Sequence, residues 1–192
     1  VGSPTGSVFL DSCITLLWIV GITNAINFFD NLDGGASGTV AISTFFIFLL
    51  ALQNGQIFIA ALAIVIMGST LGFLLWNRPP ARIYMGDAGA LFLGLLIASL
   101  TVRLETMPIN TWARFIVPIL LLSMPLLDTS IAVTSRIRNG VSPFLGGRDH
   151  LSHRLIDKGF SKRSTLMILW FASFVFASIA FVLSNIEYEF EG

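Results

Sequence analysis

The chain has 192 residues, 55% of them hydrophobic and 11% charged, with no formal net charge and a mean hydropathy of +0.84. A soluble domain carries about a quarter charged residues, so this composition excludes an ordinary water-facing globule. The single cysteine, Cys13, lies inside an apolar run and excludes both a disulfide framework and a Cys-based metal site.

Residues 12–29, 34–77, 88–102 and 164–186 contain no charged side chain at all. Apolar runs of about 18 or more residues read as transmembrane helices. The fold class is therefore all-α, a polytopic transmembrane bundle with about six spans, near 9–29, 36–53, 56–76, 88–103, 112–133 and 164–185. No repeat or interdomain linker interrupts residues 1–192, which read as a single integral membrane domain.

The first span runs into NAINFFDNLDGGASG, residues 24–38. Asn24, Asn27 and Asp30 recur at i, i+3, i+6 and so share one helical face. Asp30 and Asp33 are close enough to share a ligand, and carboxylates at a membrane edge need a cation, a substrate or water. Hard cations such as Mg²⁺ favour such oxygens and keep waters and substrate phosphates. Gly34, Gly35, Ser37 and Gly38 open the next helix, where small residues let backbone N–H groups approach an anion. An Asp/Asn helix cap with a glycine turn is the simpler alternative, and it accounts best for Asp33.

The polar knot Gln53-Asn54-Gly55-Gln56 predicts a tight turn between two antiparallel spans. The next loop is NRPPARIYMGDAG, residues 77–89. Pro79 and Pro80 end the preceding helix. Arg78 and Arg82 suit either phosphate or a membrane-side charge bias, Tyr84 offers a ring for stacking, and Asp87 suits either a ligand or a cap. In the fifth span Asp128 follows Pro118 and Pro125, and capping, pairing with arginine and facing the site remain open for it. The third loop brings both histidines, His150 and His153, together with Arg148, Asp149 and Arg154. Zinc wants three or four ligands, so phosphate or diphosphate binding fits these arginines better; a basic loop drawn to anionic lipid is the alternative.

With alternating crossings, the loops near 30–35, 77–87 and 134–163 share one side of the membrane. That side receives Arg78, Arg82, Arg136, Arg138, Arg148, Arg154, Lys158, Lys162 and Arg163; the other receives Arg103, Arg114 and the acidic tail Glu187, Glu189 and Glu191. The excess of basic residues marks the first side as cytoplasmic.

Together these loops resemble the polyprenyl-phosphate N-acetylhexosamine-1-phosphate transferases, the WecA/TagO/MraY family. Its first signature, N-A-x-N-[LMF]-x-D-G-x-D-G, is matched by residues 24–34, with Asn31 in place of a glycine. Its second, N-x-x-P-A-x-[IV]-[FY]-M-G-D-x-G, is matched by residues 77–89. Its third, H-[IL]-H-H-[RL]-L, is matched by residues 150–155, with Ser152 in place of the middle histidine. The resemblance covers nearly the whole chain, and the SPF…RDH…H form of the third loop favours the WecA/TagO branch.

The resemblance implies a Mg²⁺-dependent glycosyl-1-phosphate transferase, with Mn²⁺ as a substitute ion. Such an enzyme moves N-acetylglucosamine 1-phosphate, or a related sugar 1-phosphate, from a UDP-N-acetylhexosamine to a membrane polyprenyl phosphate and releases UMP. This is the first membrane step of cell-envelope glycan (cell wall) biogenesis, at the cytoplasmic face of the bacterial plasma membrane. Asp87 is then the metal ligand. Asp30, Asp33 and Asn27 line the catalytic cleft, and Asn24 on the same face binds substrate. Asn77 and Tyr84 recognise the uridine, and Arg148, His150, His153 and Arg154 hold sugar and phosphate. Family members carry further helices and an adjacent Asp pair before the first motif, so the chain is expected to be the C-terminal part of a longer transferase, inactive by itself. A homodimer is compatible with this reading and no nucleic-acid partner is expected. The alternative from another class is a transporter with acidic ion-binding loops, whose charges belong near the bilayer midplane.

Overall fold

The computed structural model describes residues 5–105, 111–142 and 147–186. Among them there is no strand, and eight helices follow in order. They are α1 (Val8–Phe29), α2 (Gly35–Gln53), α3 (Ile57–Asn77), α4 (Gly86–Arg103), α5 (Thr111–Leu121), α6 (Ser123–Arg138), α7 (Leu151–Asp157) and α8 (Lys162–Ile186). α1, α2, α3, α4 and α8 are each long and apolar enough to cross a membrane, which makes this a multi-pass membrane protein. The acidic tail and residues 143–146 of the third loop lie outside the described residues.

The expected fifth span is not one straight helix. α5 and α6 meet at an angle of 77°, with Leu122 between them. Two prolines explain the break, since neither Pro118 nor Pro125 has an N–H to donate to the carbonyl four residues earlier. The Leu121 carbonyl, which residue 125 would otherwise satisfy, instead accepts the Ser43 hydroxyl of α2 at 2.7 Å. A neighbouring helix thus repairs the bond that the proline removes, as the absence of water in lipid requires.

α2 is the central helix: 72% of its most apolar stretch is buried, against 17% for α1. Its first half, Gly35 to Ala41, consists of small or β-branched residues, all buried, which allows close approach between helices. Gly38 lies directly beneath Trp170 of α8, where a Cβ would fall 2.2 Å from the indole. Gly94 of α4 meets the Thr23 backbone of α1 just as tightly, at 2.7 Å from an added Cβ. Trp18 Nε1 then donates to Thr101 Oγ1 across the same helix pair.

A large apolar core built around Ile22, Ile26, Ile47, Leu50, Ile97 and Leu122 fills the middle of the bundle. At one end the expected turn forms, with Gly55 at positive φ, and Gln56 clasps α4 by donating to the Arg103 carbonyl and accepting from Glu105 N–H. At the other end a smaller cluster of Phe29, Leu32, Ala36, Met124, Leu166 and Leu169 forms an apolar floor. The three polar loops lie over that floor.

Candidate active site

α1 ends where its apolar sequence ends. Asp30 closes it, its N–H bonded to the Ile26 and Asn27 carbonyls. The chain then turns through Gly34, whose φ of +78° is a left-handed conformation suited to glycine. Gly34 is held at both ends: its N–H donates to Asn77 Oδ1 at 3.0 Å and its carbonyl accepts Trp170 Nε1 at 3.2 Å. The opening of α2 is therefore packed shut. The N–H of Gly35 is bonded to Leu32 and that of Gly38 to Gly34, and the part-buried Trp170 indole and the Asn77 amide lie against the small residues there.

The first two loops are joined by four hydrogen bonds, made through Asn77, Asp33 and Asn27. Asn77, 2% exposed, accepts from Gly34 N–H and from the Ser37 hydroxyl, and donates to the Ile83 carbonyl at 2.9 Å. Its carbonyl oxygen and one of its two N–H donors are thus committed to the protein. Asp33 does not cap α2, whose N-cap is Gly34; its Oδ2 accepts from Ala81 N–H at 3.3 Å in the second loop. Asn27 Nδ2 donates to Asp87 Oδ1 at 3.2 Å. Asp87 is exposed in the first turn of α4 and caps nothing, the N-cap being Met85. Tyr84 is 75% exposed beside it in sequence, and Arg82 stacks on the Trp76 ring. Asn24 is exposed one turn before Asn27, its amide bonded back to the Val20 carbonyl.

These contacts bring three carboxylates into one another's field. Burial, then Asp33, then Asp87 raise the Asp30 pKa from 3.8 to about 6. Like charges around a half-buried acid disfavour its ionised form, which makes this cluster a candidate functional site.

The third loop is built on a buried polar chain. Asp128, fully buried in α6, accepts from Leu151 N–H at 2.7 Å and bonds His150 Nδ1 at 2.7 Å. Of the roles left open for Asp128, pairing is the one adopted, but with histidine. Arg136, 3% exposed, donates through Nε to Asp149 at 3.2 Å and lies 3.4 Å from His150 Nε2. A guanidinium only donates, so His150 accepts at Nε2 and carries its proton at Nδ1 toward Asp128. The Arg136 bond holds the Asp149 carboxyl below the usual range. His150 is therefore enclosed by protein. His153, one turn on in α7, is only half-buried, and burial followed by Arg148 and His150 lowers its pKa. Arg154 Nε donates to the Asp149 carbonyl. Arg148 reaches only Asp157, at 3.4 Å and largely exposed, a pair of small energetic weight.

Sequence reasoning singled out Asn27, Asp30, Asp33, Asp87 and His150, which do converge at one end of the bundle. It missed Arg136 and Ser152 as structural partners. Arg136 was hidden among the basic residues of its side, and only its position within the helical turn that faces Phe28 distinguishes it. Among the described residues no three acidic, imidazole or thiol groups meet closely enough to hold a metal unaided. Asp30, Asp33 and Asp87 also stand at helix ends, whereas the transporter alternative calls for charges within the spans.

A family model described as glycosyl transferase family 4 matches residues 3–105, the half that carries the first two loops. The "Probable undecaprenyl-phosphate N-acetylglucosaminyl 1-phosphate transferase" of Bacillus subtilis is 41% identical over 172 residues, covering 90% of this chain and 48% of the relative. The decaprenyl-phosphate N-acetylglucosaminephosphotransferase of Mycobacterium leprae is 33% identical over 204 residues, 94% of this chain and 51% of the relative. A phospho-N-acetylmuramoyl-pentapeptide-transferase of Levilactobacillus brevis is 34% identical over 155 residues, 81% of this chain and 46% of the relative. The chain spans about half the length of the curated relatives it matches. Matched across its acidic loops and aligned with these relatives over most of its length, the chain belongs to glycosyl transferase family 4.

Proposed function

We propose that the chain supplies the cleft of a polyprenyl-phosphate sugar-1-phosphate transferase, with UDP-N-acetylglucosamine as the donor. In the reaction an oxygen of the polyprenyl phosphate attacks the phosphorus that carries the sugar. The phosphoanhydride bond to the nucleotide breaks, and UMP leaves. The observation that carries this reading is the cluster of Asp30, Asp33 and Asp87, in which Asp30 is raised to about 6 by burial and its neighbours. A phosphate monoester loses its second proton near pH ~6. Asp30 is thus matched to take that proton from the acceptor phosphate, as general-base catalysis favours. Asn27, bonded to Asp87, orients that carboxylate. Tyr84 presents its exposed ring for stacking on the uracil, and His153 with Arg148 and Arg154 faces the sugar phosphate. The basic excess around these loops supports a cytoplasmic cleft.

Mg²⁺ fits this donor set. A cation relieves the mutual repulsion of the three carboxylates, and Mg²⁺ needs only one or two protein carboxylates beside waters and substrate phosphates. Asp87, the exposed member, would hold it with Asp30 or Asp33 near by. When bound, the ion neutralises charge on the donor diphosphate.

The test is made on the full-length protein in membranes supplied with polyprenyl phosphate, Mg²⁺ and radiolabelled UDP-N-acetylglucosamine. The expected result is a lipid-linked sugar formed in step with UMP; formation of neither would overturn the reading.

A further inference from the structure

Asn31 and Ser152 are two of the positions, with Gly35, where the chain departs from its family's signatures; they are 121 residues apart, and in the structure they touch. The Ser152 hydroxyl donates to Asn31 Oδ1. The Asn31 Nδ2 hydrogens go to the Phe28 carbonyl at 2.8 Å and to Asp128 Oδ2 at 3.3 Å. One amide therefore joins the end of α1, the middle of α6 and the first turn of α7. Both donor hydrogens and its acceptor are used, so no shorter or purely accepting side chain can make all three bonds. Ser152 is 1% exposed and Asp128 is fully buried. The contact is consequently inside the protein, where hydrogen bonds hold geometry rather than exchange with water.

We propose that Asn31 is a positioning residue which, through Ser152 and Asp128, clasps the acidic first loop to the histidine-bearing third loop. Asn31 immediately follows Asp30 and stands two residues before Asp33. Ser152 stands between His150 and His153, and Asp128 directly holds His150. The clasp therefore sets the distance from the carboxylates to the half-buried His153. What it positions depends on the transferase reading above; that it couples the two loops does not. In this chain the two departures satisfy each other. A glycine would leave Asp128 and Ser152 without their amide, and an imidazole has no room at a fully enclosed position 152.

The experiment is a double-mutant cycle in the full-length protein, with Asn31→Gly, Ser152→Ala and the double variant, plus Ser152→Thr and Asn31→Asp. Each single variant is expected to lower kcat at least tenfold with KM for the UDP-sugar within threefold. The double variant is expected to lose no more than the worse single, because both remove one shared contact. Ser152→Thr, which keeps the hydroxyl, should restore activity to within threefold. Asn31→Asp should be the most damaging, since it sets a carboxylate against buried Asp128. In parallel, amide exchange of residues 26–37 should accelerate in Ser152→Ala although that substitution lies in the third loop. Losses that multiply in the double variant, or unchanged exchange of residues 26–37, would overturn the clasp. An inactive wild type would overturn the transferase reading instead, while the exchange measurement still decides the clasp.

Discussion

Asp128→Asn tests the buried chain beneath the third loop most directly. The carboxylate accepts three donors: Leu151 N–H on one oxygen, and His150 Nδ1 and Asn31 Nδ2 on the other. An amide of the same shape retains one acceptor and turns the other into a donor. In its better orientation it keeps an oxygen toward His150 and Asn31 and faces Leu151 N–H with its own donor, losing that one bond. Hydrogen bonds to a charged group contribute about 1.5–3 kcal/mol each. The short Leu151 contact of 2.7 Å belongs at the top of that range, so the loss is about 3 kcal/mol. At 1.4 kcal/mol per tenfold, that is a roughly 10²-fold larger population of the opened loop. Because α7 hangs on this acceptor while α2 packs in the apolar core, the effect is local. Hydrogen exchange resolved by mass spectrometry should show the amides of Leu151–Asp157 exchanging about 10²-fold faster, with α2 unchanged. Exchange of α7 within threefold of wild type would refute the reasoning.

Asp87→Asn should cut UMP release by at least ~10²-fold, the scale for losing one preorganised electrostatic group, with membrane insertion intact on fractionation; unchanged turnover would remove Asp87 from the metal role. Activity should fall as pH drops through about 6, where Asp30 takes up its proton, and Asp33→Asn should move that acid limb of the residual activity downward by removing a repelling charge. The sign for stability is opposite to that of a salt-bridged acid. Folding raises the Asp30 pKa above 3.8, so its contribution to stability improves as pH falls from above 6 toward 4, measurable as wild type minus Asp30→Asn in thermal melts. Gly38→Ala must displace the Trp170 indole and should cost about 1–3 kcal/mol of stability as overpacking does. Gly68→Ala, with nothing within 4 Å, is the control, and equal melting temperatures for the two would contradict the packing of α2 on α8.

The spans were legible because lipid leaves the backbone no partner but itself, so each long charge-free run had to close its own hydrogen bonds as a helix. The turn at residues 53–56 and the ends of α1 and α2 follow from the same local rules. The sequence also pointed to Asp30, Asp33 and Asp87 as costly where they stand, but only the structure removed the capping alternative for Asp33 and Asp87, since the N-caps are Gly34 and Met85. Local rules could not decide how the fifth run would break. Pro118 and Pro125 remove hydrogen bonds, but the 77° bend depends on Ser43 of another helix being there to receive the Leu121 carbonyl.

The same limit governs the site. Asn77 lies in a motif, and its amide is spent on Gly34, Ser37 and Ile83, partners up to 43 residues away that no spacing rule reveals. Asp128, Arg136, Asn31 and Ser152 looked respectively undecided, generically basic and merely divergent. Their roles are reciprocal: each is satisfied only by a group that another element brings. By itself the sequence determined which segments cross the membrane, which face collects the charge, and which carboxylates need a counter-charge, because those follow from the energy of single groups in lipid or water. Tertiary structure alone decided which polar side chains stay exposed at that end of the bundle and which are consumed in holding the loops together, because that depends on pairs brought together across the bundle.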